Sequence, residues 1–291
     1  LTRNGELLGA GTTDADGNLT LPLWGQLVPG TAHLCVTAQN RRPYRADVPI
    51  IAPSGPYLIV EAVIVNDVPS GDGDLTCDAG ETVNLALTLR NVGVEAASGI
   101  SAHLSTTDPF VDVSVATVSF PDIPAGGAAT SGDFVVSFLE STPDGHDAPF
   151  DLHITGGGGP YDAVFHLTAC APILAYASAT VDDAAPGGNG SGWIVPGETA
   201  QVALTLGNSG HGGANDAVLT VTDAGPYVEV LQGTVTCPLV PGQGQGTFTP
   251  LQLRVLPDCP VPAVLSIAAT VDAGFGYQEE LLFPLSVGGW G

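Results

Sequence analysis

Glu81-Thr82-Val83-Asn84-Leu85-Ala86-Leu87-Thr88-Leu89-Arg90-Asn91-Val92-Gly93 returns 117 residues later as Glu198-Thr199-Ala200-Gln201-Val202-Ala203-Leu204-Thr205-Leu206-Gly207-Asn208-Ser209-Gly210. In the first copy Val83, Leu85, Leu87 and Leu89 alternate with Thr82, Asn84, Thr88 and Arg90. That two-residue period belongs to a strand with one face buried, and helical spacing is absent. Val202, Leu204 and Leu206 stand where Leu85, Leu87 and Leu89 stood, so the inward side chains are kept while the outward ones change. Working outward at the same offset, Asp108-Pro109-Phe110-Val111 matches Gly225-Pro226-Tyr227-Val228, and Thr117-Val118-Ser119-Phe120-Pro121 matches Thr234-Val235-Thr236-Cys237-Pro238. A period this long is a whole domain repeated in tandem, not a solenoid turn.

Around this strand the first copy shows further apolar runs at 58–65, 99–105, 111–119, 133–139, 149–156 and 161–168. Gly, Pro and Asp clusters separate them. Matching runs follow at 173–181, 198–206, 215–222, 227–236, 248–255, 263–270 and 277–285. Seven short strands per copy predict an all-β chain of tandem immunoglobulin-like β-sandwich domains. The expected domains are 1–56, the C-terminal part of another immunoglobulin-like domain, then repeat 1 at 57–171 and repeat 2 at 172–291. In the opening piece, strands are expected over Glu6–Gly11, Leu19–Leu23 and His33–Ala38, with a turn at Thr12–Asn18. A piece of about 56 residues buries too little surface to stand alone. It is expected to lean on residues upstream of Leu1, because the chain reads as an internal fragment whose targeting signals lie elsewhere.

The 291 residues include no Met and no Lys; the basic residues are Arg3, Arg41, Arg42, Arg45, Arg90 and Arg254, against 30 acids, for a net charge of -24. From residue 46 onward 27 acids face two Arg. Such a field repels nucleic acid and anionic lipid and favours cations and solubility. Although 44% of residues are hydrophobic, no run approaches the roughly 18 apolar residues of a membrane helix, so neither nucleic-acid binding nor membrane insertion is expected.

Of five cysteines, Cys237 and Cys259 lie in one repeat, while the first repeat has Phe120 and roughly His146 at those places. A pair present in one copy and absent from the other predicts a disulfide between neighbouring strands and an oxidising compartment. Cys35, Cys77 and Cys170 form an odd set, with Cys77 to Cys170 a weaker pairing.

Thr37-Ala38-Gln39-Asn40-Arg41-Arg42-Pro43-Tyr44 after a Pro-Gly turn, followed by Gly80-Glu81-Thr82 and Leu87-Thr88-Leu89-Arg90-Asn91-Val92-Gly93, resembles the region after the catalytic domain in gingipain-like secreted cysteine peptidases. The resemblance implies that residues 1–56 end the immunoglobulin-like domain following a caspase-like peptidase domain. It implies a secreted or cell-surface bacterial protein, with the upstream catalytic domain as the partner of this region. The catalytic Cys and His of that family have no counterpart here, since no βαβ unit is present.

The strongest concentration of chemistry is the loop Asn66–Glu81, with carboxylates at Asp67, Asp72, Asp74, Asp78 and Glu81. Calcium takes six to eight oxygens on a flexible chain, so these are the candidate metal ligands and calcium the candidate cofactor. The spacing departs from the EF-hand pattern. A solvated acidic turn with Asp side chains bonded to nearby amides is the bland alternative. The second copy keeps Asp182, Asp183 and Glu198, but Val195 stands opposite Asp78. Glu81 and Glu198 each follow a Gly and open a strand, which suits a carboxylate that accepts amides of the preceding loop.

Six scattered His residues (33, 103, 146, 153, 166 and 211) and the absence of a Gly-x-Ser-x-Gly elbow leave no catalytic constellation. Asn40-Arg41-Arg42-Pro43-Tyr44 is the one basic spot, either a dock for an acidic neighbour or a solvated loop. Trp24, Trp193 and Trp290 fall at unrelated positions and form no sugar platform. The expected function is thus a non-catalytic accessory or stalk region of a secreted bacterial peptidase. The alternative is a cell-surface adhesin or carbohydrate-binding array, with a surface protein or glycan as partner.

Overall fold

The computed structural model describes residues 1–23, 27–68, 70–184 and 187–288; Trp24 and Trp290 lie outside them. The opening sheet holds β1 (Thr2–Arg3), β2 (Glu6–Leu7), β3 (Gly30–Val36) and β4 (Tyr44–Ile50) in the order β2-β1-β3-β4. The turn at Thr12–Asn18 is present, with Asp14 Oδ1 accepting the amides of Asp16 (3.0 Å) and Asn18 (2.7 Å). The expected strands around it are shorter or missing. Only Glu6–Leu7 pairs in the first, and no strand forms over 19–23 among the described residues. Pro22 removes a ladder donor there, and Leu19 and Leu23 stay exposed. Asn40-Arg41-Arg42-Pro43 is the exposed β3–β4 hairpin loop, with Arg41 N donating to Ala38 O.

The first sandwich is built from β5 (Leu58–Asn66), β6 (Cys77–Asp78), β7 (Thr82–Asn91), β8 (Ser101–Ser105), β9 (Val111–Val115), β10 (Thr117–Ser119), β11 (Ala128–Phe138), β12 (His146–Thr155) and β13 (Tyr161–Cys170). Its sheets run β5-β7-β11-β9 and β10-β8-β12-β13-β6. The second repeats the plan with β14 (Leu174–Asp182), β15 (Thr199–Asn208), β16 (Ala214–Asp223), β17 (Val228–Gln232), β18 (Thr234–Val240), β19 (Gln245–Thr247), β20 (Leu251–Val255), β21 (Ala263–Asp272) and β22 (Gln278–Val287). Its sheets run β14-β15-β20-β17, with β19 also on β15, and β18-β16-β21-β22. These are tandem immunoglobulin-like β-sandwiches, and the alternation read from β7 and β15 sets their cores. Leu85, Leu87, Leu89, Val202, Leu204 and Leu206 are all buried.

The copies agree in fine detail. Each opening hairpin carries a β-bulge at the same point, between Val60 and Ala62 in β5 and between Tyr176 and Ser178 in β14. Thr88 and Thr130 hydroxyls meet at 2.9 Å, and Thr205 and Thr247 at 2.8 Å. Cys77 pairs in parallel with Ala169, and Ile194 bridges Val287 in the same sense.

The chain divides into two compact units. One comprises Leu1–Pro69, Val83–Ser137 and Ala148–Leu167; the other comprises Ser70–Thr82, Phe138–Asp147 and Thr168–Gly291. The second unit therefore contains the whole second sandwich together with loops and strand ends from one end of the first. The acidic loop from Ser70 onward belongs to it.

Candidate metal centre before β7

Within the second unit the loop is shaped by its own carboxylates. Asp72 Oδ1 accepts the Asp74 amide (3.1 Å), and Asp74 Oδ1 accepts both the amide (2.8 Å) and the hydroxyl (2.6 Å) of Thr76. β6 then ties Cys77 and Asp78 to the end of β13 and buries both. Gly80 has φ of 84°, and a Cβ there would lie 2.1 Å from Phe275 O. No side chain fits, so the loop backbone rests directly on the turn at Gly274–Gly276.

Glu81, 1% exposed, accepts the amide of Asp72 on Oε1 (3.0 Å) and that of Asp78 on Oε2 (3.1 Å). Glu198 Oε2 accepts the Val195 amide (3.0 Å) in the second copy. Both thus hold the preceding loop through its amides. The oxygens of Asp72, Asp78 and Glu81 come within 4.8 Å of one another. Asp74 is joined to them through the Asp72 and Thr76 bonds, while Asp67 is fully buried directly after β5 in the first unit. Burial, and then the charges of Asp74, Glu81 and Asp72, push the Asp78 carboxyl up to about 7, against a smaller lowering by the Thr76 hydroxyl. A cavity of about 480 Å³ opens beside it, bounded by Asp78, Glu140, Asp144, Pro172, Phe275 and Tyr277.

The corresponding loop of the second copy is satisfied differently. Asp183 is 3% exposed and accepts the Ser191 amide (2.8 Å) and hydroxyl (3.1 Å) and the Gly192 amide (3.0 Å). Burial works to raise its carboxyl, but these bonds prevail and hold it below the ordinary value.

The expected Cys237–Cys259 disulfide is not formed. Cys237 sits on β18, its thiol donating to Leu239 O (3.3 Å), whereas Cys259 lies in the turn before β21, its thiol directed to Pro260 O (3.5 Å). Both are buried side chains of the second core, which explains their presence as small apolar groups. The parallel register places Cys77 opposite Ala169 and Cys170 opposite Asp78, so those two sulfurs face opposite sides of the ladder. Burial, then the charges of Asp78, Asp144 and Asp74, push the Cys170 thiol up to about 11.

Two polar positions escaped sequence reading. Asp144, in the β11–β12 loop, accepts the amides of Ala171 (3.0 Å) and His211 (2.9 Å) and meets His211 Nδ1 (2.8 Å). Asn215, on β16, donates to Asp72 Oδ2 (2.7 Å). Neither has a counterpart in the other copy that would have marked it.

No protein-family model and no curated protein matches the chain. Among solved structures it is similar to the C-terminal domain of the Streptococcus agalactiae AgI/II polypeptide BspA, at 9% identity over 78% of this chain and 99% of that one, with a TM-score of 0.32. It is similar to red sea bream transglutaminase at 13% identity over 80% of this chain, TM-score 0.29, and spans 31% of that enzyme's length. The secreted serine protease VesC from Vibrio cholerae gives 13% identity over 71% of this chain and 48% of that one, TM-score 0.26. Scores this low assign neither a family nor an activity.

Proposed function

We propose that this chain is a non-catalytic spacer region of a secreted bacterial protein, a gingipain-like cysteine peptidase, in which tandem sandwiches hold a catalytic domain at a set distance. The observation that carries this reading is the way the second sandwich is seated within its compact unit. Only Ala171–Ile173 separate β13 from β14. Asp144 grips that linker at Ala171 and the second sandwich at His211. Leu174 N donates to Tyr277 OH (3.1 Å), fixing the entry of β14. Gly80 packs its backbone on Phe275, and Asn215 holds Asp72. These directed bonds anchor the second sandwich within its own unit, which suits a structural region better than an independent binding module. The net charge of -24 keeps such a region solvated and clear of anionic surfaces.

The reading is tested by sequencing the encoding gene outward from both ends and by assaying the isolated chain. A caspase-like domain with a Cys and His pair upstream, and no hydrolysis of a peptide or glycan panel by the chain itself, are the expected results. Further sandwiches ending in a surface anchor, with binding to a glycan or matrix-protein array that one loop deletion abolishes, would replace the spacer by an adhesin. Turnover by the isolated chain would overturn both.

A further inference from the structure

We propose that Asn18 is a glycosylation site, taking an oligosaccharide on its side-chain nitrogen as the chain is exported. The sequence holds two Asn-x-Ser/Thr triplets, Asn18-Leu19-Thr20 and Asn189-Gly190-Ser191. A triplet alone is a common chance match, and it becomes an acceptor only on an accessible segment of a secreted protein. The structure separates the two. Asn18 closes the turn at Thr12–Asn18, its backbone amide donating to Asp14 Oδ1 (2.7 Å) and its carbonyl accepting the Asp14 amide (2.8 Å). These bonds hold the main chain and leave the side chains open. Among the described residues, nothing bonds to the Asn18 carboxamide or the Thr20 hydroxyl, and every residue from 10 to 20 is exposed. Residues 18–23 belong to no strand, so the chain there can enter a transferase groove without breaking a ladder.

The second triplet is taken up by its own loop. Asn189 Oδ1 accepts the Ser191 amide (2.8 Å), and the Ser191 hydroxyl lies 3.1 Å from Asp183 Oδ2 and 3.1 Å from Trp193 O. Asp183 is 3% exposed, so drawing that hydroxyl away would strip a donor from a buried carboxylate. The residue two places before the acceptor also differs. An exposed Asp16 precedes Asn18, whereas Gly187 precedes Asn189. A carboxylate at that place gives a transferase a charge to pair with as it grips the segment.

The co-reactant is a lipid-linked glycosyl pyrophosphate. The Asn18 side-chain nitrogen forms a bond to the anomeric carbon, the bond from that carbon to the pyrophosphate oxygen breaks, and the lipid pyrophosphate leaves with the electron pair. The nitrogen gives up one proton to solvent, and nothing is oxidised or reduced. The glycan then stands beside Leu19, 43% exposed, and shields that apolar side chain from other chains. Glycosylation at Asn18 rests on the chain being secreted, because this transfer takes place on the exported side of a membrane.

Mass spectrometry of the full chain, recovered from the cells that make it and from their medium, tests the site. Trypsin releases residues 4–41, which Arg3 and Arg41 bound, and a protease that cuts at acidic residues frees the second triplet. In the exported protein residues 4–41 should be heavier by a whole number of sugar residues, with fragmentation placing the added mass on Asn18 and none on Asn189. Asn18→Gln and Thr20→Ala should each remove that mass, with circular dichroism showing both folded, and Asp16→Asn should lower the occupied fraction. Exported protein whose residues 4–41 carry no sugar would overturn the site and leave the secreted reading standing. Protein confined to the cytoplasm would overturn both. Sugar on Asn189 alone, or occupancy of Asn18 kept in Thr20→Ala, would also overturn the assignment.

Discussion

Asn91 and Asn208 make the same four hydrogen bonds at equivalent points of the two sandwiches. Asn91 Oδ1 accepts the amides of Tyr57 (3.1 Å) and Gly93 (3.0 Å), and its Nδ2 donates to the carbonyls of Glu95 (2.7 Å) and Ile123 (3.1 Å). Asn208 Oδ1 accepts those of Ile173 (2.9 Å) and Gly210 (3.0 Å), and its Nδ2 donates to Gly212 (2.8 Å) and Val240 (3.2 Å). Each amide uses its full capacity and replaces a ladder where the chain enters the domain. Since both are buried, Asn91→Ala and Asn208→Ala should each cost about 3 kcal/mol, read by urea denaturation. Asn91→Asp should cost no less, because a carboxylate cannot donate to the two carbonyls.

The glycine two residues on is needed for a different reason. A Cβ on Gly93 would lie 2.2 Å from Gly55 O, and one on Gly210 would lie 2.1 Å from Ala171 O. Backbone cannot give way cheaply, so Gly93→Ala and Gly210→Ala should each cost about 2 kcal/mol or more. Gly132, within β11, has nothing within 4 Å of its Cβ position, and Gly132→Ala should change stability by less than about 0.5 kcal/mol.

Asp144 and His211 should behave unequally although they form one ion pair. His211 is 63% exposed in its side chain and Asp144 10%. An exposed partner contributes little, so His211→Ala should cost under about 1 kcal/mol. Asp144→Ala strips the acceptor from two backbone amides and should cost about 2 kcal/mol. Burial works to raise the Asp144 carboxyl, but the amides of His211 and Ala171 and the His211 ring outweigh it and hold it below 3.8. Its contribution is therefore present above the unfolded value and lost as pH falls through the lower folded one, a loss that Asp144→Ala should remove from the acid limb of the unfolding profile.

Asp78 should give the opposite slope. Its folded value of about 7 lies above the ordinary 3.8, so between them the native state holds a proton that the unfolded chain has released. In calcium-free buffer this contribution is full below the unfolded value and is lost as pH rises through about 7. Thermal melts across that window should fall with pH in the wild type and flatten in Asp78→Asn.

Alkylation should sort the thiols. Cys35 is exposed, Cys237 and Cys259 are buried, and the Cys170 thiol is raised to about 11. Iodoacetamide under native, mildly alkaline conditions should label Cys35 well before those three, and non-reducing mass mapping should find no Cys237–Cys259 cross-link.

The alternation of Val83 to Leu89 and its return at Val202 to Leu206 were legible because the strand period is local: each side chain's facing follows from its neighbours two residues away. The loop-holding role of Glu81 was legible for the same reason, its amide partners lying three and nine residues off. The expected Cys237–Cys259 bridge is not formed in the structure. A pair confined to one copy reads as a bridge, yet two buried side chains of one core share that history without forming one.

The amino-acid sequence by itself determined the repeat, the all-β class, the inward face of each copy and the concentration of acid before β7. Those properties are written in period, composition and spacing. Tertiary structure alone decided which acids converge. It decided that Asp144 closes on His211, 67 residues away, and Asn215 on Asp72, 143 residues away. The matching Asn-x-Gly pairs were visible in both copies, but their role was not, since their distant partners are backbone groups 32 to 35 residues off that carry no signature in residue type. Hydrogen bonds to main chain depend on where the fold brings a peptide group, and every residue has one.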